Sequence, residues 1–113
     1  MRQIYAHQAT VALASGEDPD APGAAITAAL GGHGDHEPPH HTTAEQAGEA
    51  LRLRVLVATE PDRIAEVRRR IDAALAAGDW RLITSGCATV EPAERPHGRR
   101  LLRRTAEPGT KGP

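Results

Sequence analysis

Four of the six histidines fall between residues 33 and 41, inside the run G-G-H-G-D-H-E-P-P-H-H that spans Gly31 to His41. Neutral imidazole is the commonest protein ligand for zinc, copper and nickel, and carboxylates such as Asp35 and Glu37 can complete a shell. His33 and His36 have the H-x2-H spacing that lets two rings reach one ion from a turn. Gly31, Gly32 and Gly34 allow the backbone to wrap closely around it. Pro38-Pro39 stiffens the approach to His40 and His41 and lowers the entropy lost on ordering. Neighbouring residues of an extended segment point to opposite sides, so His40 and His41 are not expected to share one ion. The expected ligands are His33, His36 and either His40 or His41, with Cys87 offering a thiolate from beyond the last strand and His7 a further imidazole. Zinc is the expected ion, nickel and copper the alternatives. Protonated imidazole cannot ligate, so affinity should fall steeply below about pH 6.

Several established motifs are excluded. With one cysteine there is no C-x2-C element and hence no zinc finger, and no intrachain disulfide can form. The histidine spacing is not H-E-x-x-H, and the prolines forbid the helix that motif requires. Gly31–Gly34 opens into Pro-Pro and not into a helix, so the helix N-terminus that would hold a phosphate is missing. Cys87, in S-G-C-A-T, sits among small residues, the usual setting of a structural thiol. No Ser/His/Asp arrangement is visible in the spacing.

The segment P-H-H-T followed by L-R-L-R-V resembles pterin-4a-carbinolamine dehydratases over about twenty residues. The resemblance implies a small cytoplasmic α+β oligomer in which His40 and His41 would carry acid–base dehydration. Thr42 stands where that family has proline, and the aromatic that follows its motif is missing.

Charge is divided along the chain. Residues 1–50 carry Arg2 against seven acids, whereas residues 51–113 carry thirteen bases against eight, almost all arginine. Arg95, Arg99, Arg100, Arg103 and Arg104 form one basic patch and Arg68, Arg69 and Arg70 another, which would suit bidentate phosphate contacts. Arg, Ala, Gly and Pro all have GC-rich codons, so a high-GC bacterial genome also accounts for the bias. Stacking aromatics are absent, with no Phe, one Trp and one Tyr, which argues against nucleic acid as a partner. No stretch approaches the ~20 apolar residues of a membrane span. Ala12-Leu13-Ala14 has the A-x-A pattern of a signal-peptidase site, but the preceding residues are too few and too polar for an apolar core. The expected setting is the cytoplasm.

The elements that must position the histidines are those of an α+β domain. Residues 8–14 and 24–30 read as two strands of a hairpin, joined by the turn-forming G-E-D-P-D-A-P-G. Thr42–Ala50 reads as a polar connector or short helical turn. Leu51, Leu53, Val55 and Val57 alternate as a strand. Thr59-Glu60-Pro61-Asp62 reads as the start of a helix running to about Ala77, with Ile64, Val67, Ile71, Ala74 and Leu75 as its buried stripe and Gly78 as its C-cap. Trp80–Ser85 reads as the closing strand of a β-α-β unit, and a short helix is expected around Arg99–Arg104. The expectation is a hairpin followed by a β-α-β unit in one mixed sheet, with one main amphipathic helix on one face. Residues 1–90 would form the domain and 91–113 an Arg/Pro-rich extension with a disordered tail. The uncovered sheet face is a candidate homodimer surface, and the chain reads as a non-catalytic accessory protein.

Overall fold

The computed structural model describes residues 1–14, 16–31 and 38–106. The fold is α+β, with strands β1 (Gln3–Ala12), β2 (His40–Ala47), β3 (Ala50–Thr59) and β4 (Arg81–Ala88) and helices α1 (Ala21–Leu30), α2 (Ile64–Ala76) and α3 (Arg95–Ala106). The sheet order is β2-β3-β1-β4, and every neighbouring pair is antiparallel. The sheet is therefore not mixed. α1 and α2 each join two parallel strands that a third strand separates, α1 between β1 and β2 and α2 between β3 and β4. These are two interleaved split β-α-β units, the ferredoxin-like arrangement.

The expected first hairpin does not form, because residues 24–30 lie inside α1. A-A-I-T-A-A-L fits both periods, but alanine is the best helix former and Pro22 sits in the first turn, where its missing N–H costs nothing. Pro22, Ile26 and Leu30, four apart, are the residues that α1 buries. Thr42–Ala50 is not a connector either. Its polar residues make β2, an exposed edge strand whose backbone ladder with β3 requires no apolar side chain. The tight turn back into β3 is Gly48-Glu49, and the positive φ of Gly48 (63°) is the conformation that glycine supplies without steric cost.

One face of the sheet carries Ala9 and Val11 of β1 and Leu51, Leu53, Val55 and Val57 of β3, packed against Ile26 and Leu30 of α1 and Val67, Ile71 and Leu75 of α2. Three of the five stripe residues expected in α2 are thus fully buried. This helix begins at Ile64, not at Thr59, which ends β3 as a buried residue. Its C-cap is Ala77. Gly78 serves a different purpose: a Cβ there would overlap the indole of Trp80, which folds back so that Nε1 donates to Leu75 O at 2.7 Å. Trp80 thereby satisfies one of the free carbonyls of the last helical turn and is not part of β4.

The other face is half covered. Ala6, Leu56 and Ala58 pack with Leu101 of α3, flanked by Ile4, Ala88, Val90 and Leu102. The C-terminal helix is twelve residues long, twice the expected Arg99–Arg104, and starts directly after a 3-10 turn at Pro92–Glu94. Glu91 and Glu94 form a reciprocal capping box across that turn. The tail expected to be disordered, residues 107–113, lies outside the described residues. No helix among the described residues is long and apolar enough to cross a membrane.

Candidate functional site

Register decides which way the histidines of β2 point. His40 lies opposite Val57, whose side chain is in the core under α1 and α2, whereas His41 lies opposite Leu56, in the cluster under α3. The two rings therefore stand on opposite faces of the sheet, as alternation along a strand demands. They cannot act as a pair on one small substrate in the manner the dehydratase resemblance implies.

His41 meets instead a residue 56 positions away. Its ring and that of His97 on α3 have centroids 3.9 Å apart with the planes tilted by 31°. His97 comes one turn before Leu101, so the same helix face that buries the leucine delivers the imidazole. Gly98, also buried, lets α3 approach closely, since a Cβ there would come within 3.1 Å of Ile4. Burial, together with the neighbouring His97, His40 and Arg100, holds the His41 imidazole below its usual pKa. Its neutral form, with a lone pair free for a ligand, is thereby favoured. On His97, Nδ1 accepts from the Arg100 guanidinium at 3.2 Å.

His40 is oriented separately. Its Nδ1 donates to Pro38 O at 3.0 Å, which fixes the tautomer and leaves Nε2 with the lone pair. This is the backbone bond that commonly orients a metal-ligating ring. The stiff Pro38-Pro39 approach thus acts directly on His40, through a carbonyl of the same segment. His33 and His36 lie outside the described residues, as do Asp35 and Glu37. Among the described residues no three His, Cys, Asp or Glu side chains converge in a metal-holding group.

Cys87 and His7 are not brought to this histidine pair. Cys87 is on β4, at the opposite edge of the sheet from β2, three interstrand spacings or about 14 Å away. It is exposed and lines a shallow depression of about 310 Å³ with Gln8, Thr84, Ser85, Gly86 and Ala88.

His7 lies directly opposite Cys87 in the ladder and is only 4 % exposed. It belongs to a chain of hydrogen bonds that the spacing of the sequence did not reveal. Arg68 of α2 donates to His7 Nδ1 at 3.0 Å and to Ala6 O at 3.2 Å, His7 Nε2 meets Ser85 Oγ at 2.7 Å, and the Ser85 hydroxyl donates to Asp72 of α2. Serine, histidine and aspartate are together, but in the wrong order for catalysis. A nucleophilic serine gives its proton to Nε2, with the carboxylate behind Nδ1. Here the guanidinium occupies Nδ1, so Nε2 carries the proton and cannot accept another. The network ties α2 to the edge of the sheet and activates no nucleophile.

The arginines are also partly accounted for. Arg54 Nε and Nη2 hold both oxygens of Glu94 at 2.9 and 2.8 Å, Nη1 donates to Gln8 at 2.8 Å, and Nη2 reaches Thr89 O at 2.9 Å. This fork anchors the start of α3 on the sheet, and its hydrogen bonds hold the Glu94 carboxyl below the usual range. Arg68 is turned inward onto His7 and Ala6 O, and Arg69 and Arg70 share the one Glu66 carboxylate, so the basic patch on α2 is partly engaged within the fold. Arg95, Arg99, Arg100 and Arg103 on α3 are exposed. Compared with protein-family profiles, with curated proteins and with solved structures, the chain matches none.

Proposed function

We propose that this chain is a small cytoplasmic accessory protein that binds a divalent transition metal, zinc before nickel or copper, through His41 and His97, with His33 or His36 completing the shell. The observation that carries the reading is the 3.9 Å approach of two imidazoles from separate elements. Two nitrogens bound to one tetrahedral zinc ion at ~2.05 Å stand about 3.3 Å apart, so binding requires the two rings to turn out of their tilted stack and His97 to release Arg100. The depressed pKa of His41 supports it, because only the neutral ring ligates. The separation in sequence also permits it: His36 is five residues from His41, and five residues span at most about 17 Å. The role is one of binding, with no catalytic step.

Competition of the full chain against a chromogenic zinc chelator tests the reading. His41→Ala and His97→Ala should each weaken zinc binding by at least tenfold, and the His33→Ala/His36→Ala double variant should weaken it comparably. Zinc affinity that is undetectable in the wild-type chain, or unchanged in His41→Ala and His97→Ala, defeats the assignment.

A further inference from the structure

Arg54, Arg68, Arg69 and Arg70 find partners within the fold, whereas Arg95, Arg99 and Arg103 of α3 have none among the described residues. These three recur at i,i+4 spacing on the exposed side of a helix that contains no acid. Like charges at that spacing, the first of them beside the positive end of the helix dipole, oppose the helix unless a counter-charge answers them. The chain's surplus of acid stands at the other end of the sheet. Glu17, Asp18 and Asp20 lie in the β1–α1 connection, and Glu45 and Glu49 at the β2–β3 turn. Leu13 N donates to Glu49 O at 2.8 Å and joins the two segments into one acidic end, where only Arg52 and Arg81 oppose five acids among the described residues.

The two charged regions cannot meet within one chain. Gly98 of α3 lies against Ile4, and the acidic connection begins after Ala12, eight residues or about 26 Å further along β1. The Debye length at physiological salt is only about 8 Å. The surface between them is stepped. α3 covers Ile4, Ala6, Leu56 and Ala58, while Thr43, Glu45, Arg52 and Thr84, toward the acidic end, remain exposed. We propose that a second copy of this chain fills that step: two protomers stack antiparallel about a two-fold axis, and the α3 arginines of each meet the acidic end of the other. A polyanion would use the arginines alone and leave the acids unanswered, and the aromatics on which bases stack are missing. A second copy answers both. Single surface ion pairs are weak, but the two-fold makes the contact twice, and the second forms at the effective concentration set by the first.

Sedimentation velocity of the full chain, with chelator present throughout, tests the pairing apart from the metal-binding reading. At about 20 mM salt the chain should sediment as a pair, and about 0.5 M salt should weaken association at least tenfold. Arg99→Glu/Arg103→Glu and Asp20→Arg/Glu49→Arg should each be monomeric at low salt. An equal mixture of the two should recover the pair, because one variant is then acidic at both ends and the other basic at both. A merely misfolded variant could not do this. A wild-type chain that stays monomeric at low salt overturns the proposal, all the more if it is then retained on DNA or heparin. Association that survives high salt, that grows past two protomers, or that the mixture fails to restore overturns it as well.

Discussion

His7 Nδ1 accepts a hydrogen bond from the Arg68 guanidinium at 3.0 Å. Arginine only donates, so the buried imidazole is held in its neutral form with the proton on Nε2. Protonating Nδ1 would set two donors against each other in a site that water barely reaches.

This arrangement makes stability fall in acid. Burial, helped by the charge of Arg68 and opposed by that of Asp72, holds His7 below its usual pKa of 6.5, and His41 is held down as well. The unfolded chain therefore takes up protons at pH values where the folded chain does not, and folding stability rises with pH in that window. The contribution is complete above about 6.5 and is lost progressively as the pH falls from there to the native value. Thermal midpoints recorded between pH 8 and 5 should drop on the acid side, and His7→Gln should flatten the profile. Equal acid slopes in the two proteins would remove His7 from the explanation.

Arg54→Ala should destabilise the fold by about 1–3 kcal/mol, because it strands Glu94, Gln8 and Thr89 O together. Both members of the ion pair are roughly one-fifth exposed, so screening keeps the loss moderate. Urea denaturation should show a lower midpoint at unchanged slope. A larger share of the loss should return with Lys than with Met at position 54 if charge matters more than bulk.

Trp80 and Gly78 form a second test of packing. Gly78→Ala should cost about 1–3 kcal/mol by forcing the indole off the helix end, and Trp80→Phe about 1 kcal/mol by leaving Leu75 O without its donor. Trp80 is the sole tryptophan, so its emission should shift to the red in Gly78→Ala. An unshifted spectrum with unchanged stability would mean that the ring is not seated there.

Arg100→Ala should tighten zinc binding roughly fivefold. The guanidinium competes for His97 Nδ1 and places a positive charge beside the ion, an interaction of about 1 kcal/mol even in water at ~4 Å. Weaker binding in this variant would show that Arg100 supports the histidine pair and does not oppose it.

Much of the architecture could be read from patterning. Leu51–Val57 alternates, and Val67, Ile71 and Leu75 recur at helical spacing; each pattern has a single geometric solution, and both elements formed. Residues 24–30 were ambiguous because a seven-residue alanine-rich stretch satisfies period two and period four at once. β2 was missed because its stability comes from the backbone ladder with β3, and backbone pairing leaves no trace in side-chain type. Alternation did separate His40 from His41 correctly, since adjacent residues on a strand must face opposite sides.

The partners of the histidines were beyond the reach of spacing. Local sequence determined that imidazoles cluster before a strand, that Pro38-Pro39 constrains them, and that Cys87 has no second cysteine to join. Tertiary structure alone decided that His41 meets His97, that His7 faces Arg68 and Ser85, and that Cys87 stands at the far edge of the sheet. The reason is physical: periodicity records which face a residue occupies, but the order of strands and the docking of α3 determine what lies across from that face. Those are set by burial summed over the whole chain, which no nine-residue motif contains.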